Sequence, residues 1–168
     1  MQIELLEPGI AVPKGRGYVG VGDPGDTIYF PHVDSCMAIV AIFDKTRLIG
    51  GHIGAQWPGH HEVDYKFCGN QIITLMEANR KRVKADACTT LILVYPGSTG
   101  WKDVASAAYG SWSPDAMIDI DTTFCAKGAD ITVTATTITL VDCKTNLSKE
   151  YAVPTGDFEM KTKKFPND

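Results

Sequence analysis

Cys36 and His52 are the residues whose types and spacing could do nucleophilic chemistry in this chain. A thiol stands sixteen positions before an imidazole, with a polar turn between them. Such a pair can attack a carbonyl: the thiolate adds to the carbon, and the imidazole takes the thiol proton and later hands it to the leaving group. A third group must hold the imidazole in the right tautomer. Both residues lie in one stretch, DSCMAIVAIFDKTRLIGGHIG, from Asp34 to Gly54. Met37 to Phe43 is apolar and contains β-branched Ile39, Val40 and Ile42, which favours a strand. Asp44-Lys45-Thr46-Arg47 is a polar turn, and a second apolar run enters Gly50-Gly51.

Register decides whether the two side chains can meet. A two-residue hairpin across Lys45-Thr46 would set His52 opposite Ile39 and therefore on the face away from Cys36, because side chains alternate along a strand. A three-residue loop or a bulge reverses this, and the glycine pair Gly50-Gly51 is where a bulge is expected.

The elements that must position the pair are legible in outline. Residues 1 to 35 are punctuated by glycine and proline, with short strands expected near Gln2–Leu6, Tyr18–Val21 and Thr27–Phe30. Gly15 to Gly20 matches G-x-G-x-x-G, but it lacks the preceding strand and following helix that a dinucleotide site needs. Helical spacing of Cys68, Ile72, Leu75, Met76 and Asn79 predicts a core-packing helix over about 63–83, ending in the basic cluster Arg80-Lys81-Arg82. Cys88 to Tyr95 reads as a buried strand, and Trp101 to Tyr109 as a shorter helix.

From Met117 the pattern is strand-like, with period-2 alternation through Ile131 to Thr136 and a last strand around Glu150 to Val153. The reading is α+β: a mixed, largely antiparallel sheet with two helices packed on it. It forms a single domain over 1–156, followed by a loosely ordered tail over 157–168 that includes the lysines from Lys161 to Lys164.

Composition narrows the partners. The chain has 168 residues, 44% hydrophobic and 21% charged, with a formal net charge of −4. It is long enough to bury a core without metal or disulfide, and its charge disfavours nucleic acid or an anionic membrane as partner. The N-terminus lacks a signal-peptide pattern and no run reaches the ~20 apolar residues of a membrane span, so the expected location is the cytoplasm where the chain is made.

The five cysteines are widely spaced with no Cys-x-x-Cys, which fits reduced thiols. Cys68, Cys88, Cys125 and Cys143 fall in apolar patterns and are assigned to packing. His60-His61-Glu62 with Asp64 lacks a spacing that completes a tetrahedral metal site, so a solvated loop is expected there, with Trp57 or His60 at the entrance to the Cys36 site. No metal or other cofactor is called for.

Ser35-Cys36, the apolar run ending in Asp44, and Ile49-Gly50-Gly51-His52 resemble the CheD chemoreceptor glutamine deamidases. Their signature is Gly-Ser-Cys, an apolar run ending in aspartate, and a Gly-Gly-x-x-His or similar. The same Cys–His deamidase fold is shared by the cytotoxic necrotizing factor toxins. The resemblance covers about Thr27 to Val83. It implies Cys36 as nucleophile, His52 as general base, and a protein substrate bearing a reactive glutamine.

The family's third residue is a threonine or a backbone carbonyl on the strand before the cysteine, for which Thr27, Tyr29, Phe30 and a carbonyl around Tyr29–Pro31 are candidates. Asp34, Ser35 and Trp57 are candidate substrate contacts. Asp34 stands where the CheD pattern has glycine, His52 follows the glycine pair directly, and Tyr95 to Gly100 replaces a different glycine-rich loop. These departures suggest a divergent deamidase, such as an effector delivered into a host cell. The alternatives are a non-catalytic interaction domain on the same fold, or another thiol hydrolase such as a peptidase or transglutaminase.

Overall fold

The computed structural model describes residues 1–9, 17–60 and 62–168. The strands are β1 (Gln2–Glu4), β2 (Val19–Gly22), β3 (Thr27–Val33), β4 (Met37–Phe43), β5 (Arg47–Ile53), β6 (Cys88–Tyr95), β7 (Ala116–Asp121), β8 (Ala129–Val133), β9 (Thr137–Asp142), β10 (Ser148–Ala152) and β11 (Glu159–Lys164). The helices are α1 (Tyr65–Arg82), between β5 and β6, and α2 (Lys102–Trp112), between β6 and β7. Two sheets form, in the orders β11-β7-β6-β4-β5-β2 and β1-β3-β8-β9-β10. Pairing is antiparallel except at β1/β3, β6/β7 and β7/β11. The chain is thus α+β, with two helices and mixed, largely antiparallel sheets.

β4 lies at the centre and is buried along its whole length. Alternation sends Cys36, Ala38, Val40 and Ile42 into a core shared with the five-stranded sheet, against Ile28, Phe30, Ile131 and Leu140. Met37, Ile39, Ala41 and Phe43 enter a second core beneath α1 and α2, against Cys68, Ile72, Met76, Val104 and Ala108. A strand covered on both faces needs an uninterrupted apolar run, which is what Met37 to Phe43 supplies. The layers run helices, six-stranded sheet, five-stranded sheet.

α1 begins where Asp64 Oδ1 accepts the Phe67 amide at 2.9 Å, satisfying a donor that the helix cannot pair internally. Its buried stripe is Cys68, Gly69, Ile72, Ile73 and Met76, while Leu75, assigned to that stripe from spacing, is 40% exposed. The difference is a rotation of the stripe toward Gly69 and Ile73, where a glycine admits Val104 of α2: an added Cβ at Gly69 would stand 2.7 Å from the valine methyls.

The segment after 157, read from composition as a loosely ordered tail, instead carries β11. Its residues from Glu159 to Lys164 pair in parallel with all of β7, and Phe165 beyond it is fully buried in the inter-sheet core. Its lysines masked this, because an edge strand with one solvated face carries charge readily. Gly15 and Arg16 of the glycine-rich match, and His61 of the histidine pair, lie outside the described residues.

Candidate active site

The hairpin between β4 and β5 settles the register. Thr46 N–H donates to Phe43 C=O at 3.2 Å, with Asp44 (φ 53°) and Lys45 (φ 68°) both in the left-handed region between them. Thr46 is then an extra residue, because the ladder resumes at Phe43 opposite Arg47 and runs without interruption to Met37 opposite Ile53. His52 therefore faces Ala38 rather than Ile39, on the same side of the sheet as Cys36. The offset comes from the turn, not from a bulge at Gly50-Gly51.

The glycine pair has a different role. A Cβ at Gly50 would stand 2.9 Å from Ile28 Cδ1, and one at Gly51 would stand 2.5 Å from Ile72 Cγ2, so β5 is pressed between the second sheet and α1.

Cys36 and His52 are thus diagonal neighbours in the inter-sheet core, both 2% exposed. The His52 ring is fixed on two sides. Its Nδ1 lies 2.9 Å from the Leu5 carbonyl, and Phe30 packs edge-on at a centroid separation of 5.8 Å. A carbonyl only accepts, so Nδ1 carries the proton and the basic lone pair sits on Nε2. That Nε2 is buried and has no hydrogen-bond partner among the described residues, the Cys36 thiol included. Burial drives both groups toward their neutral forms. It lowers the His52 pKa, against the Leu5 carbonyl and the Glu7 charge that raise it, and it pushes the Cys36 thiol well above the ordinary range, with the Glu7 charge acting in the same direction.

Other expected site residues divide sharply. Phe30 is at the site as a wall of the imidazole pocket. Ser35 is exposed, and its carbonyl accepts the Trp101 indole N–H at 2.9 Å, which ties the residue before Cys36 to the start of α2. Trp57 packs edge-on against Tyr18 (5.9 Å) and lines a cleft of about 520 Å³ together with Glu7, Ser35, Gln56, Pro58 and His60. Cys36, the next residue, is buried and does not line this cleft, but Glu7 and Ser35, which do, both act on its thiol. Asp34 is exposed in the bend between β3 and β4.

Thr27 and Tyr29 do not reach the imidazole. They alternate with Ile28 and Phe30 and so point away from the inter-sheet core, and Thr27 pairs with Gln2, three residues along the chain from the Leu5 carbonyl. The Tyr29 carbonyl is also committed elsewhere, to the Leu5 amide at 2.9 Å. The carbonyl that bonds the imidazole therefore belongs to Leu5, a residue whose side chain gives no signature of that contact.

Glu7 was missed as well. Its Oε1 stands 3.3 Å from where a Cβ on Gly54 would lie, and Gly54 is one step beyond the last ladder pair, across from Cys36. In sequence Glu7-Pro8-Gly9 reads only as a turn.

Two further features bear on ligands. His60 stacks on Phe67 (4.8 Å) with its Nε2 3.8 Å from Asp64 Oδ2, and no group of three potential metal ligands occurs among the described residues. A second cavity, about 550 Å³, opens on the helix side of the sheet between α2, β7 and β11, where Tyr95 Oη donates to Asp119 Oδ2 at 2.8 Å. The sheet itself separates it from Cys36. No helix among the described residues is long and apolar enough to cross a membrane. No family model matches the chain, and no curated protein matches it.

Proposed function

We propose that the chain is a cysteine-dependent amidase whose substrate is the side-chain carboxamide of a protein glutamine. One observation carries the reading: His52 shares a face with Cys36 while its Nδ1–H is held by the Leu5 carbonyl, leaving a basic Nε2 with no competing partner among the described residues. A purely structural histidine in a core satisfies both nitrogens, and an orphaned one costs roughly 1–3 kcal/mol.

In the reaction Nε2 accepts the thiol proton and Cys36 Sγ bonds to the carboxamide carbon. The C–N bond then breaks, and ammonia departs with the proton from Nε2. Water adds to the thioester, restores the thiol and leaves glutamate. The Leu5 carbonyl stabilises the imidazolium through Nδ1–H, as an orienting group must. Both reacting groups are neutral at rest, so proton transfer is coupled to substrate binding in the cleft rather than completed before it.

The step from amide to glutamine is supported by the resemblance of Ser35-Cys36, Asp44 and Gly50-Gly51-His52 to the CheD pattern. The substitution of Asp34 for its glycine fits an effector acting on a target other than a chemoreceptor. A Cys36→Ser or His52→Ala variant that still releases ammonia from glutamine-containing protein at the wild-type rate overturns the proposal.

The second reading, a non-catalytic domain, is favoured by the burial of Cys36. It predicts that iodoacetamide modifies Cys36 no faster than the buried Cys88 even with saturating substrate protein.

A further inference from the structure

The cleft above Cys36 carries one carboxylate close to the thiol. Glu7 lines the cleft beside Ser35, and its side chain packs on Gly54, the residue across from Cys36. Among the described lining residues there is no lysine or arginine to neutralise it. The other titratable group of that described lining is His60, already beside Asp64, and the neighbouring Asp34 adds a further negative charge at the turn before Cys36.

We propose that Glu7 selects the substrate by charge: the site takes a glutamine flanked by a cationic side chain, whose ammonium or guanidinium pairs with Glu7 as the carboxamide reaches Cys36. This rests on the amidase reading for the word glutamine, but the charge selection at Cys36 stands without it.

Two effects act together. An opposite charge brought to a half-buried carboxylate is attracted more strongly than in bulk water. Pairing also cancels a negative charge that, after burial itself, opposes ionisation of the thiol. A cationic neighbour thereby binds and activates at once, whereas an acidic neighbour meets two repulsions.

Two measurements test this. Modification of Cys36 by a cationic aminoethyl methanethiosulfonate is compared with modification by its anionic sulfonatoethyl counterpart. Cys36 is followed by mass, Cys36→Ser gives the background, and free cysteine gives the intrinsic cation-to-anion rate ratio of the two reagents. At low salt the ratio at Cys36 is expected to exceed that of free cysteine about tenfold, and Glu7→Gln to bring it within about threefold of the free-cysteine value. A ratio unchanged by Glu7→Gln overturns the proposal, and because the net charge of the whole chain is nearly the same in both proteins, that comparison isolates the local carboxylate.

The second measurement is ammonia release from otherwise identical peptides with lysine or glutamate beside the glutamine. The lysine peptide is expected to react at least tenfold faster with wild type and at most threefold faster with Glu7→Gln. Equal rates with wild type overturn charge selection while supporting the amidase. A preserved reagent ratio with no ammonia from any glutamine substrate supports charge selection and overturns the amidase.

Discussion

The two ends of β4 each bury a cysteine, and they differ in what surrounds it. Cys36 precedes the strand at one end; Cys88 of β6 sits opposite Phe43 at the other. Both thiols are nearly inaccessible and both are pushed up by burial, Cys88 to about 12. At the Cys88 end the sulfur donates to the Thr90 carbonyl at 3.5 Å, two residues away in its own strand. At the Cys36 end the surroundings come from distant parts of the chain: His52 from β5, the Leu5 carbonyl and Glu7 from the N-terminal segment, and the Trp101 indole from the start of α2. A buried thiol is thus not a site by virtue of burial. The difference is an imidazole with an open lone pair and a charged wall, gathered at the cost of a buried nitrogen without a partner among the described residues.

The comparison breaks most visibly in activity. Cys36→Ser and His52→Ala are each expected to reduce ammonia release by about a thousandfold or more, and Cys88→Ala to leave it within about twofold. Equal losses from all three would erase the distinction between the two ends.

A smaller effect follows from the squeeze on β5. Gly51→Ala places a methyl against Ile72 and Met76 and is expected to cost about 1–3 kcal/mol in urea denaturation. It should loosen the Cys36 end, so that alkylation of Cys36 accelerates more than that of Cys88.

The third prediction concerns pH. The folded His52 has a pKa below its ordinary 6.5, so the unfolded chain binds the proton that the folded one refuses. Its contribution to stability is complete above about pH 6.5 and is lost as pH falls from there toward the folded pKa. The loss is at most about 1.4 kcal/mol per pH unit. The urea midpoint of His52→Gln should therefore fall less than that of wild type between pH 7 and pH 5, and parallel curves would show that His52 is not held neutral.

The smallest effect on activity is expected for Trp101→Phe. It removes the indole donor to Ser35, worth about 1 kcal/mol on top of the cavity left by a fully buried indole, and a severalfold rise in Cys36 alkylation with Cys88 unchanged is its signature.

What the sequence revealed follows the same division. β4 was legible because seven consecutive apolar residues leave little choice, and α1 because its stripe repeats over several turns. The hairpin offset was not. Asp44-Lys45-Thr46-Arg47 suits more than one turn, and the one adopted is fixed from afar: Asp44 N–H donates to the Ala87 carbonyl at 2.9 Å, and its carboxylate accepts the amides of Asp86 and Ala87 at 3.2 Å each. The Leu5 carbonyl contact escaped notice because a backbone carbonyl has no residue type. β11 escaped because its partner strand lies about forty residues earlier in the chain, and a charged edge strand looks like a tail.

The N-terminal segment from Leu5 to Glu7 supplies both the carbonyl that sets the imidazole tautomer and the carboxylate that faces the thiol. Among the described residues its backbone bonds to neighbouring segments include Leu5 N–H to Tyr29 C=O at 2.9 Å and Leu6 N–H to Gly17 C=O at 3.0 Å. Peeling it away would lift the fully buried Leu5 side chain out of the inter-sheet core, so it is a rare opening and not a fraying of the terminus. That opening would free Nδ1, expose Nε2 and withdraw the negative charge from Cys36 in one movement. The amides of Leu5 and Leu6 therefore report on this pair: the rate at which they exchange their hydrogens with solvent measures how often the cysteine and histidine are released from the restraints that hold them.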